Sequence, residues 1–306
     1  MKVHIRRSLQ ILTCLSLALL AQRSFAAEQQ NTERKFLRYV DDDNGGGKLQ
    51  TAIATYKNAD GVTVHLVAAV HVGEPAYYKG LQKTFGGYDA LLYELIKPKD
   101  GDVPGQGLRS RSMLSAFQRG LKDFLDLDFQ LDDIDYHSRN FVHADLDTDT
   151  FAKLQAERGE SLFTLMLRQM LNEMSKPQAN QPEVSLTELV VAFTSPDRAR
   201  HFKLILGRSF EDMEAKVAGM EGPQGTVLVT ERNKAAVRVL EEQIKAGKKD
   251  LGIFYGAAHM PDMEKRIEAL GFKPAGTEWR TAWDMTPKEG DVIVKTVKGP
   301  TSRPGQ

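Results

Sequence analysis

The sequence predicts an α/β fold, a mixed sheet with βαβ units flanking a mostly helical inserted lobe. Three observations predict it. Short apolar runs alternate with segments of helical periodicity over residues 49–95 and again over 227–272, the pattern of strands joined by helices. A strand, a helix and a strand follow one another within 62–95 with no length for a long return, which reads as a right-handed βαβ unit. Between the two α/β stretches, residues from about 105 to 220 carry helical spacing and little strand character.

The elements follow in order. Lys2, Arg6 and Arg7 precede an apolar core from Ile11 to Leu20, and Ser24-Phe25-Ala26 offers small residues before a cut after Ala26. This predicts a signal peptide over 1–26 and a secreted or periplasmic protein; the apolar run is too short for an ordinary membrane span. Residues 27–285 form the α/β domain. Segments 49–56 and 62–70 are strand-like, and Asp60-Gly61 between them marks a hairpin. Residues 75–85 read as a helix with Pro75 in its first turn, stopped by Gly86-Gly87. Residues 88–95 form the next strand. Helices follow over 109–127, 145–157 (capped by Asp147 or Thr148), 161–174, 186–193 and 196–206. A long helix covers 227–245, a central strand 251–255, a helix 261–270, and an edge strand or hairpin 272–285. Residues 286–306, rich in Lys, Pro and Gly, predict a disordered tail.

Composition excludes several classes of function. The chain holds 41 basic and 41 acidic residues, and removal of Lys2, Arg6, Arg7 and Arg23 with the signal leaves 37 against 41, a net charge of −4. That is no nucleic-acid surface. The single cysteine, Cys14, leaves with the signal, so a disulfide or a cysteine nucleophile is excluded and any metal falls to His, Asp, Glu, Asn or Gln. No Gly-x-Ser-x-Gly elbow occurs. Gly45-Gly46-Gly47-Lys48 lacks the spacing of a phosphate loop, and Leu49 stands where Ser or Thr should follow.

The chemistry gathers at strand ends. His71 follows Ala68-Ala69-Val70, His259 follows Gly256-Ala257-Ala258, and Glu94 follows Leu91-Leu92-Tyr93. Ligands bind where parallel strands end at their carboxyl edge. If the three strands are neighbours, two imidazoles and a carboxylate converge and suit Zn, Mn or Fe with positions left open for water. Arg232 and Asn233, near the start of the long helix, suit an anion; Arg232 could hold Glu94, an oxyanion or a substrate terminus. His143 and Asp145, two apart, would face one side of a strand as a His–carboxylate pair. His65 sits mid-strand as a structural residue.

The arrangement Ala68-Ala69-Val70-His71 with Gly73, Tyr93-Glu94, Glu231-Arg232-Asn233, and Gly256-Ala257-Ala258-His259 followed by Leu270-Gly271-Phe272 resembles the TraB/PrgY/GumN family, which includes the Tiki metalloproteases. The likeness spans about 51–94 and 227–272; the middle matches only in helical character. Members carry two Gly-x-x-His motifs and a glutamate, and the resemblance implies that these hold a divalent metal such as Mn or Co for peptide cleavage. The second motif is matched in full, while Ala68 stands where the first has Gly.

The expected function is a secreted metal-dependent hydrolase, a peptidase using metal-activated water. His71, Glu94 and His259 are its expected ligands for Mn, Co or Zn, and Arg232 with Asn233 positions substrate or stabilises an oxyanion. Its partner is a peptide or small-molecule substrate. The alternatives are a non-catalytic protein that sequesters a peptide or iron or haem, and a metal-free esterase with His71 as general base.

Overall fold

The structure is a computed structural model in which residues 36–42, 44–102, 125–161, 164–165, 186–210, 217, 221 and 224–288 are described. The expected signal peptide, most of the expected helices over 109–127 and 161–174, and the tail from 289 lie outside the described residues. Along the chain, β1 (Leu37–Asp41), β2 (Gly47–Lys57), β3 (Thr63–Ala69) and the short β4 (Val72–Gly73) precede α1 (Pro75–Phe85) and β5 (Ala90–Tyr93). Then come β6 (Asp128–Phe129), α2 (Gln130–Asp133), β7 (Phe141–His143), α3 (Thr148–Arg158), α4 (Leu186–Thr194) and α5 (Arg198–Phe210). A π-helical turn (Val227–Glu231) runs into α6 (Arg232–Lys245), followed by β8 (Asp250–Gly256), a 3₁₀ turn (Ala257–His259), α7 (Met260–Ala269) and β9 (Lys273–Asp284).

The fold is α/β, as the sequence predicts. Its main sheet runs β1-β2-β3-β8-β5-β7, with β9 also paired to β2. Strands β3, β8, β5 and β7 are parallel neighbours, and β2 is antiparallel to β1, β3 and β9. The parallel centre follows from composition. β5 (ALLY) is buried throughout and β8 (DLGIFYG) from Leu251 onward, because helices cover both faces of such strands. The β2–β3 hairpin turns where the Asn58 carboxamide oxygen accepts the Asp60 and Val62 N–H groups and Gly61 takes φ +74°. Between β3 and β5 runs α1, which starts at Pro75 and buries Tyr77, Tyr78, Leu81 and Phe85 on one side. Its Phe85 ring meets Phe254 of β8 with centroids 4.8 Å apart. Burial of a side chain of this size contributes about 1.5–3 kcal/mol.

Two expectations change. The region expected to form a helical lobe, 105–220, contributes β7 to the edge of the main sheet, and its β6 pairs with β4. Runs of two and three residues are too short to display strand alternation in a sequence. The helix expected over 227–245 opens as a π-turn in which Val227, Val229 and Thr230 are buried. The segment 272–285, expected as an edge strand or a hairpin, is an edge strand paired to β2, with two register shifts. β1, which the sequence reading leaves out, pairs with the first half of β2. Among the described residues no helix is long and apolar enough to cross a membrane.

Candidate functional site

Because β3, β8 and β5 are adjacent, the three residues that follow their carboxyl ends meet. A Cβ placed on Gly256, the last residue of β8, would lie 3.4 Å from His71 Nε2, 3.5 Å from Glu94 Oε2 and 3.8 Å from His259 Cδ2. Three side chains more than 180 residues apart at the extremes thus surround one glycine Cα. The absence of a side chain there leaves the cradle open. Glu94 stays against β8, its N–H donating to Phe254 O at 3.1 Å and its Oε2 accepting the Gly256 N–H at 2.7 Å. Of the three, His71 is the exposed one.

Both imidazoles are held from behind. Asn233 donates from Nδ2 to His259 O at 2.9 Å and to Asp262 Oδ2 at 2.8 Å, both pure acceptors. Its Oδ1 is therefore the atom that faces His259 Nδ1 at 2.8 Å, so Nδ1 carries the hydrogen and Nε2 keeps its lone pair. Gln130 does the same for His71. Its Nε2 donates to the Tyr136 hydroxyl at 2.7 Å, its Oε1 meets His71 Nδ1 at 3.2 Å, and its backbone N–H bonds His71 O at 3.0 Å. The β4–β6 pairing brings Gln130 to this place. Nitrogen Nε2 of each ring is left for the shared space, the arrangement in which an outer hydrogen bond orients a ligating histidine.

Arg232 enters from the end of the π-turn. Its Nη2 donates to Glu94 Oε1 at 2.8 Å, and its Nη1 lies 3.5 Å from His259 Nε2. Asp145 anchors it with two bonds, Nε to Oδ1 at 3.0 Å and Nη2 to Oδ2 at 2.6 Å. The Asp145 side chain is 0% exposed, Arg232 7%, His259 8% and Glu94 10%. Burial alone would raise the Glu94 pKa, but His259, Arg232, His71 and the Gly256 N–H outweigh it and hold the carboxyl at about 2. Burial works on His259 in the direction that prevails: despite the pull of Glu94, its pKa falls to about 4, so the ring is neutral near pH 7.

The structure brings His71, Glu94, His259, Arg232 and Asn233 together. Asn233, 0% exposed behind His259, spends its side chain on orienting that ring. His143 does not pair with Asp145; its Nε2 meets Leu95 O at 2.7 Å. Gln130 is the residue that sequence reasoning left out of this cluster, and Asp145, expected to shape the pocket as the partner of His143, anchors Arg232 instead. Asp145 follows β7, the fourth parallel strand, so it too lies past a carboxyl edge. The donors suit a divalent ion: two imidazole lone pairs, one carboxylate and an open cradle at Gly256. The shell is not closed as it stands, for among the described residues no group of three His, Cys, Asp or Glu side chains has the spacing to hold an ion. The Arg232 guanidinium instead lies against Glu94. No protein-family model, curated protein or solved structure matches the chain.

Proposed function

We propose that this protein is a secreted or periplasmic metal-dependent hydrolase that cuts peptides, akin to the TraB/PrgY/GumN proteins. The observation that carries the reading is the convergence of His71, Glu94 and His259 around the Gly256 Cα, with each imidazole tied through Nδ1. These three residues would hold Mn, Co or Zn. A divalent ion at this place supplies Lewis acidity for the attack of water on a carbonyl. The choice of a peptide rests on the family resemblance.

The chain's own groups have definite tasks in this reading. Glu94, ionised above pH of about 2, supplies negative charge. Neutral His259 offers Nε2 near pH 7. Asn233 and Gln130 fix the two rings, so little rotamer freedom is lost when a ligand arrives. Arg232 has five N–H donors, and its bonds to Asp145 and Glu94 occupy Nε and Nη2, which leaves Nη1, 3.5 Å from His259 Nε2, as the donor group not otherwise engaged among the described residues. That donor serves the oxygen on which charge develops.

The test is metal content. Purified protein equilibrated with Mn, Co or Zn is compared with its His259→Ala variant, and a peptide library is profiled by mass spectrometry under each metal. Metal in the parent and its loss in the variant support the reading; equal content in both removes it. One further observation, the exposed His71 with Nδ1 on Gln130 and Nε2 without a hydrogen-bond partner among the described residues, favours a second reading in which His71 acts as general base without metal. Turnover that survives chelation and disappears in His71→Gln would select it.

A further inference from the structure

The Arg232 guanidinium already occupies the neighbourhood an ion would enter. It contacts Glu94 Oε1 at 2.8 Å and stands 3.5 Å from His259 Nε2, two atoms of the expected ligand set. A guanidinium cannot shed its proton in a protein, so it cannot neutralise itself to make room. Asp145 meanwhile gives nothing to the trio. Its two oxygens hold Arg232, and its remaining bond is to the Leu146 N–H at 2.7 Å. Glu94 and Asp145 carry two negative charges and Arg232 one positive, with side chains no more than 10% exposed. The cluster therefore attracts one more cation while Arg232 blocks its seat.

We infer that Arg232 is the resident cation of the site, that a divalent ion binds by displacing its hydrogen bond to Glu94, and that Asp145 is the positioning residue that keeps it anchored throughout. The exchange breaks the Nη2 bond to Glu94 and the 3.5 Å Nη1 contact with His259 Nε2, while the bonds to Asp145, made by the Nε hydrogen and the other Nη2 hydrogen, persist. The site then loads metal reversibly, with an affinity set by the competition. This inference rests on the metal reading above.

Calorimetric titration of the full chain with Mn²⁺ and Co²⁺ tests it, on the parent, Arg232→Met, Arg232→Met/Asp145→Asn and Glu94→Gln, each checked for folding by a circular-dichroism melt. Arg232→Met is expected to bind roughly 10- to 100-fold more tightly, since like charge is removed from a low-dielectric site. It leaves Asp145 buried without a partner; should it fail to fold, the double variant decides, with tighter binding than the parent expected there too. A merely structural role for Arg232 would lower affinity, so a rise is diagnostic. Metal binding by the parent with equal or weaker binding in both arginine variants overturns the inference and leaves the metal reading standing. Absence of binding in the parent and every variant overturns both.

Discussion

His65 and His259 lie toward opposite ends of adjacent parallel strands, and each has a carboxylate within reach, yet the surroundings differ in every respect that matters for chemistry. His65 uses both ring nitrogens, Nδ1 on Thr55 Oγ1 and Nε2 on Asp250 Oδ1, each at 2.9 Å, and stacks on Tyr88. Asp250 is 47% exposed, so water competes for it. His259 uses one nitrogen on Asn233 and faces a buried carboxylate and a buried guanidinium with the other. A saturated ring on a wet carboxylate is a strut. A ring with a lone pair left in a dry, charged cluster is available to a ligand.

The largest effect expected from this contrast comes at Glu94. Glu94→Gln keeps shape and size but removes the negative charge and puts a donor or acceptor mismatch against Arg232 or the Gly256 N–H. Metal content falls to background, and peptide cleavage falls by roughly a thousandfold or more. Inductively coupled plasma mass spectrometry and a single-peptide assay measure the two losses; retention of both would leave the carboxyl edge no more functional than the His65 end.

The pH dependence of stability comes next. An unfolded histidine titrates near 6.5, whereas burial holds folded His259 at about 4. Between these values the unfolded chain binds a proton that the folded chain does not. Stability therefore decreases as pH falls from 6.5 to 4 and takes no further loss from this group below 4; its contribution to the change is about 3 kcal/mol. Glu94 has the opposite chemistry and a lower window: its folded-state pKa of about 2 stabilises the protein above 4.5, and this is lost between 4.5 and 2. Urea melts of chelator-treated protein at pH 7, 5.5 and 4 measure the first window. His259→Asn is expected to flatten it, and an equal slope in parent and variant would refute the assignment.

These contrasts also mark what the sequence made legible. His71, Glu94 and His259 stood out because each follows a short apolar run, and the parallel centre was readable from the continuous apolar character of β5 and β8. That β8 lies between β3 and β5 was not readable, since strand order is decided by packing between segments more than 150 residues apart. Arg232 was visible as a cation near a helix start, but not its anchor. Asp145 belongs to Asp145-Leu146-Asp147-Thr148, where Asp147 caps α3 through the Thr150 N–H, and the cap chemistry gives both acids the same local reason to exist. Only the burial of one of them separates the two, and burial depends on β7, whose three residues carry too little periodicity to announce a strand.

A glycine pair sharpens the comparison in terms of packing. Both Gly252 and Gly256 belong to β8. At Gly252 an added Cβ would meet Leu91 Cδ1 at 2.6 Å and Tyr88 Cδ2 at 2.7 Å, so Gly252→Ala forces the core to shift and costs about 1–3 kcal/mol. At Gly256 the nearest atoms are the three functional side chains, at ordinary contact distance, and φ −53°, ψ 141° suits alanine. Gly256→Ala is therefore expected to keep or raise stability, by up to about 1 kcal/mol, while it fills the cradle and lowers metal affinity. Thermal melts and metal titrations of the two variants should show inverse patterns. Loss of stability at Gly256 with metal binding intact would remove its assigned role.

The smallest effect closes the comparison with the same chemical change made at the other end. Asp250→Asn removes a carboxylate charge as Glu94→Gln does, but the amide oxygen still accepts the hydrogen that His65 donates from Nε2, and Tyr88 still stacks on the ring. At a side chain 47% exposed the lost charge is worth under about 1 kcal/mol, and it lies on the far side of the sheet's length from Gly256. Metal content and peptide turnover should equal those of the parent. The two isosteric substitutions thus differ in surroundings alone, buried with an arginine in one case and wet in the other. A turnover loss in Asp250→Asn comparable to that in Glu94→Gln would mean that the charge, and not its buried setting, carries the effect.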